Sequence, residues 1–335
     1  MSESQAAVRW GAVAESSSIG APIRVELCAA EEKLLRLLDS NEALIGEICH
    51  YLVDGGGKRL RPLFILLIYR ACGGNDAKIE DAIDAAIALE LIHSATLLHD
   101  DIIDGGMLRR GKPSAYARYG SAASLVAGDY LFCRAFELCG RFEERLVHTA
   151  ARACIQLTEG EVMEGRTRNR ATANLDDYIA IITRKTASLF AAGGKVAADL
   201  AGAGTETIGD MERLGHAVGL AFQMVDDLLD ILGPEEKIGK PVGSDLRLGI
   251  MSLPVVLGLR SNPELRTLLG NGNCLEGQIF DRVLRLLREP QLIARGRAMA
   301  AQHVAAAREL LMRLPPSVYR DSLAILIGEQ INRDL

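Results

Sequence analysis

The stretch LLHDDIIDGGMLRR (Leu97–Arg110) closes an apolar, helix-patterned segment on three aspartates, and two arginines follow five residues after the last of them. Upstream, apolar residues recur at three and four positions (Ile79, Ala82, Ile83, Ala86, Ile87), which is a helical period. Asp100 and Asp104, spaced i, i+4, therefore project from one helix face, with Asp101 beside them. Carboxylates next to leucines are costly unless something positive meets them. The arrangement occurs a second time at Asp226, Asp227 and Asp230. One such cluster ordinarily makes a solvated helix face. Two copies, each after an apolar run (SATLL, LAFQMV) and each before a glycine-containing basic loop, point elsewhere. Six carboxylates facing one cavity repel one another, and a divalent cation relieves this. All-oxygen donors favour Mg²⁺ over zinc, and Mg²⁺ keeps waters and shares its shell with substrate phosphates. The clusters thus predict a phosphorylated substrate held through metal.

The rest of the chain agrees with a helical protein. Apolar residues are 49% and charged residues 24% of the 335, which suits a large globular core. Helical patterns cover roughly 25–51, 59–72, 79–103, 120–140, 144–165, 176–203, 206–232, 278–312 and 316–330, whereas alternating, strand-like runs are scarce. Breaks fall at 55–57, 73–74, 105–113, 166–174, 233–249 and 261–273. The expected fold is all-α, a single large bundle over 21–335, with residues 1–20 a loose arm. A net charge of −6 argues against a nucleic-acid partner. The seven cysteines (28, 49, 72, 133, 139, 154, 274) form no CxxC pair and read as free thiols in a reducing cytosol. No secretory signal and no transmembrane segment are expected.

Basic residues supply the other half of a phosphate site. GGGKRLRP (55–62) places Lys58, Arg59 and Arg61 after a glycine turn. Arg109 and Arg110 follow the first aspartate cluster, Arg184, Lys185 and Thr186 open another helix, and Lys237 and Lys240 follow the second cluster. Any one of these would pass for a surface cation. Glycine lets a backbone approach phosphate oxygens closely, yet neither a P-loop nor a Rossmann fingerprint is present. His93 lies seven residues before Asp100, about two helical turns, and so shares the aspartates' face.

In this order over roughly 25–335, GGGKRLRP, ELIHSATLLHDDIIDGGMLRRGKPS, AGDYL, RKTASLF and FQMVDDLLDILG…GKPVGSDL resemble the trans-isoprenyl diphosphate synthases, the polyprenyl synthetase family. The resemblance implies an all-α bundle around a deep central apolar cavity, usually a homodimer. It implies a Mg²⁺-dependent prenyltransferase that joins isopentenyl diphosphate head-to-tail to an allylic diphosphate, with about three ions bridged by substrate diphosphate. Asp100, Asp104 and Asp226 would be direct ligands, and Asp101, Asp227 and Asp230 ligands or acceptors for metal-bound water. Arg109, Lys185, Thr186, Gln223 and Lys240 resemble the allylic diphosphate grip. Lys58, Arg61, His93 and Arg110 resemble the isopentenyl diphosphate site. Asp100, Asp104, Arg109, Lys185 and Asp226 would carry the catalysis.

Chain length is read one turn below the first cluster, at Ala95 and Thr96, where short-chain relatives commonly carry aromatic blocks. IHSATLLHDD and TEGEVMEG (158–165) resemble the long-chain synthases of quinone side chains, so a C30–C50 product is expected. Ala151, Cys154 and Ile155 are the candidate tunnel floor, with Phe132 or Phe136 able to close it. The alternatives are a short-chain farnesyl or geranylgeranyl synthase, a non-catalytic subunit of a heteromeric synthase, and a terpene cyclase. DDLLD and GGGKRLRP argue against the cyclase, and intact aspartates and cations against the silent subunit. A cytoplasmic location, with membrane contact during product release, completes the expectation.

Overall fold

The computed structural model describes residues 19–56, 59–170, 172–233, 241–270 and 276–329. The N-terminal arm up to residue 18, Lys58, Lys237 and Lys240 therefore lie outside the described residues. In chain order the helices are α1 (Arg24–Leu37), α2 (Ala43–Asp54), α3 (Leu60–Ala71), α4 (Ile79–Ile103), α5 (Ala115–Tyr119), α6 (Ser121–Cys139), α7 (Glu144–Thr167), α8 (Leu175–Ile182), α9 (Ser188–Leu200) and α10 (Thr205–Leu232). They continue with α11 (Ser244–Arg247), α12 (Leu253–Ser261), α13 (Pro263–Gly270), α14 (Gly277–Leu287), α15 (Pro290–Leu311) and α16 (Val318–Glu329). Among the described residues the strands are β1 (Leu108–Arg109) and β2 (Lys112–Pro113), one short antiparallel pair, so the chain is all-α.

Several stretches differ from their sequence reading, the short α11 inside the expected break at 233–249 among them. The pattern at 25–51 is two helices, because the chain turns after α1 and the Glu42 N–H donates to Ser40 Oγ at 3.1 Å. The pattern at 278–312 is also two, since Pro290 has no N–H to continue α14 and instead opens α15. The expected break at 261–273 contains α13, whose free N–H groups at Glu264 and Leu265 donate to Asn262 Oδ1. The break at 105–113 contains the β1–β2 hairpin. Its two turn residues, Arg110 (φ 53°) and Gly111 (φ 74°), both take the positive φ that a type I′ turn requires.

The described residues form two compact units. The first runs to Arg152 and adds Ala191–Gly215 and Glu309–Leu326. Its centre is α4, apolar all round, as a helix enclosed by others must be. By length and composition it could cross a bilayer, but 83% of its apolar window is buried inside the protein. α1, α3 and α6 pack on it. Close approach to α6 needs Gly128, where a Cβ would stand 2.2 Å from His99 Nε2.

The second unit takes Ala153–Phe190, His216–Arg308 and the residues from Ile327. Its core joins Tyr178 and Ile182 of α8, Met224, Val225 and Leu228 of α10, Leu253–Leu257 of α12, and Val283 and Leu287 of α14. α8 begins at a capping box in which Asn174 and Asp177 each accept the other's backbone N–H, so two orphan donors are satisfied together. After α8 comes one π turn, Thr183–Ala187, in which the Ser188 N–H reaches back to Thr183 O. A single π turn inside a helix is costly and often marks a functional position.

Candidate functional site

In the first unit, Asp100, Asp101 and Asp104 occupy the last turn of α4, which stays helical because the Asp104 N–H donates to Asp100 O at 2.8 Å. A helix C-terminus already carries partial negative charge, so three carboxylates there oppose the dipole and call for a cation. Asp101 points inward, 4% exposed, and accepts three hydrogen bonds from Arg109 at 2.8–3.1 Å. Asp100 and Asp104 are half-buried. The predicted metal residue Asp101 and the predicted diphosphate residue Arg109 are thus partners of one another.

The cations gather around His93. Burial is the main cause that holds its imidazole well below the usual histidine range, and Arg61, Arg109, Arg110 and Arg59 add to the effect. Burial likewise lowers Arg110, with Arg59 and Arg109 contributing. Arg61, Arg109 and Arg110 thus all lie close enough to act on His93, a concentration of positive charge suited to an anion. Arg59 has a different task. It enters α3 with φ 44° and spans from Glu90 (2.8 Å) to Val53 O (2.7 Å), tying the start of α3 to the end of α2.

In the second unit the same dipole argument applies to Asp226, Asp227 and Asp230, which lie in the C-terminal part of α10. Two of the three carboxylates are buried and used by the protein. Asp227 accepts from Gln223 Nε2 (2.8 Å) and the Leu253 N–H (2.9 Å). Asp230 accepts from Ser244 Oγ (2.8 Å) and the Asp245 N–H (3.3 Å). Burial, with the nearby Asp245 carboxylate, pushes the Asp227 carboxyl up to about 7. The buried Tyr178 hydroxyl lies beside it, outside good hydrogen-bond geometry, and burial raises that phenol well above its usual range. Asp226 is half-buried.

Gln223 connects this anchor to the π turn. Its amide N–H₂ faces Asp227, so its oxygen faces Thr186, whose hydroxyl donates to it at 2.8 Å. Lys185, on the same turn, stands 2.7 Å from both Glu161 and Glu164 of α7. α7 can lie this close because residue 160 is glycine; a Cβ there would meet Lys185 N at 2.7 Å. Sequence reasoning missed Glu161 and Glu164 as lysine partners. Their signal was the i, i+3 acid pair in TEGEVMEG, taken only as a marker of chain length. It also missed Glu90 and Tyr178, buried residues whose partners are distant in sequence.

The chain-length candidates divide. Ala95 is fully buried, and Thr96 is buried with its hydroxyl donating to His93 O at 2.8 Å. Ala151 and Cys154 are half-buried, whereas Ile155 is 59% exposed. Phe132 stacks on His99 with ring centroids 5.9 Å apart, and Phe136 is exposed.

Comparison with known proteins gives a consistent picture. The polyprenyl synthetase family matches residues 42–285. Heptaprenyl diphosphate synthase component 2 of Geobacillus stearothermophilus is 35% identical over 91% of this chain and 96% of its own length. Nonaprenyl diphosphate synthase of Mycobacterium tuberculosis is 35% identical over 93% of this chain and 94% of its own. Among solved structures, a polyprenyl synthase from Caulobacter crescentus, in complex with calcium and isoprenyl diphosphate, superposes with a TM-score of 0.90 at 32% identity. It covers 95% of this chain and 98% of the other. Other similar proteins carry names from geranylgeranyl to decaprenyl diphosphate synthase.

Proposed function

The chain belongs to the polyprenyl synthetase family, the trans-prenyl diphosphate synthases, and on that premise we propose that it condenses isopentenyl diphosphate head-to-tail onto an allylic diphosphate, with Mg²⁺, to a C30–C50 product. The observation that carries the reading is the pair of aspartate clusters, each at the C-terminal end of a long helix. Asp100, Asp104 and Asp226, half-buried at the ends of their helices, are the proposed Mg²⁺ ligands, with Asp101, Asp227 and Asp230 as further ligands or acceptors for metal-bound water. This oxygen-only donor set fits a hard cation. Among the described residues no three such donors stand together as a metal site by themselves. The Caulobacter relative, crystallised with calcium and an isoprenyl diphosphate, supports a divalent cation and a prenyl diphosphate as ligands.

When bound, Mg²⁺ would neutralise the charge that grows on the allylic diphosphate as its C–O bond breaks. The protein's part is electrostatic and positional. Lys185 would exchange one or both of its carboxylate partners for diphosphate. Thr186 and the Gln223 oxygen would present fixed dipoles, with Asp227 holding the amide in that orientation. Arg61, His93 and Arg110 would hold isopentenyl diphosphate; His93, uncharged at neutral pH, would serve as a hydrogen-bonding group. The proton lost after condensation is assigned to the released diphosphate.

Two features support a long product: the small side chain of Ala95 beneath the first cluster and the long-chain names of several relatives. Geranylgeranyl synthases stand among the relatives too, so product length is the test. Farnesyl diphosphate with excess isopentenyl diphosphate is expected to give a ladder ending between C30 and C50. A ladder ending at C20 would overturn the long-chain reading. Homodimeric action in the cytoplasm, with membrane contact at product release, is part of the proposal. The component 2 relative motivates a second reading, in which this chain works with an unlike subunit. Turnover by the purified chain alone decides between them.

A further inference from the structure

The hairpin that carries Arg109 and Arg110 is fastened to the last turns of α2, and we infer that Tyr51 is a positioning residue that sets the affinity for isopentenyl diphosphate. This inference rests on the function proposed above. The β1–β2 hairpin, which carries Arg109 and Arg110, has only two residues in each strand, too few ladder bonds to hold its own orientation. It is held from outside. The Tyr51 hydroxyl donates to Pro113 O at 2.7 Å, the residue paired with Leu108 across the hairpin. The Arg118 guanidinium lies 4.6 Å over the Tyr51 ring and 5.1 Å over the Tyr119 ring, and the two rings meet edge to face at 5.6 Å. Such cation–π contacts and edge-to-face rings favour one arrangement of the three side chains. Tyr119 in turn donates to Glu47, one helical turn before Tyr51 on α2.

Two residues after Tyr51, Val53 O accepts from the Arg59 guanidinium at the start of α3. The same helix end thus meets both the hairpin and the start of α3, which carries Arg61. The two arginines of the hairpin depend on this differently. Arg109 has its own anchor in Asp101. Arg110 sits in the turn itself, at φ 53°, so its place follows the hairpin backbone that Tyr51 tethers. Loosening the tether should act on Arg110 first, and so on isopentenyl diphosphate rather than on the allylic primer.

The test is steady-state kinetics with Mg²⁺, each substrate varied in turn, on the wild type, Tyr51→Phe and Tyr119→Phe. Tyr51→Phe keeps the ring and its contacts and removes only the bond to Pro113. Losing one hydrogen bond should raise KM for isopentenyl diphosphate about three- to tenfold, with kcat and the KM for the primer within about twofold. Tyr119→Phe loses a bond in the same cluster, but not the one to the hairpin, and should leave both KM values near wild type. An unchanged KM in Tyr51→Phe, an equal rise for both substrates, or the same rise in Tyr119→Phe would overturn the inference while the functional reading stands. A wild type that does not consume isopentenyl diphosphate would overturn both.

Discussion

His93 shows how one side chain can be both a structural cost and a functional asset. Surrounded by Arg59, Arg61, Arg109 and Arg110, it stays neutral in the folded protein well below the pH at which an exposed imidazole protonates. The unfolded chain, with a histidine near 6.5, therefore binds more protons below that pH than the folded chain does. Stability should fall as pH drops through 6.5 toward the folded value, by up to about 1.4 kcal/mol per pH unit for one proton. His93→Gln should flatten this part of the profile, as read by urea midpoints between pH 7.5 and 5. Equal slopes in the two proteins would contradict the assignment. The sequence placed His93 on the aspartates' face from spacing alone, because helical periodicity within one element is legible. It could not show that Asp101 would be taken by Arg109, or Asp227 by Gln223 and Leu253. Those pairings depend on which way each carboxylate turns at a helix end, and on segments that return from elsewhere in the chain.

Among the elements, the helices with strong apolar periods were legible, and the errors gathered where a short local signal broke a longer pattern. Pro290 divided one predicted helix, and the turn at Ser40 divided another. Arg110 and Gly111 made a hairpin from a predicted break. The π turn at Thr183–Ala187 was not legible at all, since it adds no periodic mark. It presents Lys185 and Thr186, and α7 abuts it through Gly160. Gly160→Ala puts a methyl against the Lys185 backbone, where rigid atoms must move. The variant should be destabilised by about 1–3 kcal/mol, and the activity of its folded fraction should also fall because Lys185 shifts. A fully active, equally stable Gly160→Ala, compared by urea midpoint and initial rate, would show that the close approach does not matter.

For the molecule as a whole, the fold class and the family follow from the order of the motifs. The deeper claim is that both aspartate clusters act through metal on one condensation. It is tested by measuring how much labelled isopentenyl diphosphate enters organic-extractable product from farnesyl diphosphate, with and without Mg²⁺. The wild type, Asp100→Ala and Asp226→Ala would be compared, each confirmed folded by circular dichroism. The expected result is Mg²⁺-dependent incorporation by the wild type and a loss of about a hundredfold or more in each variant, as when a principal electrostatic stabiliser of a transition state is removed. Incorporation that persists in chelator, or that survives in either aspartate variant, would contradict it.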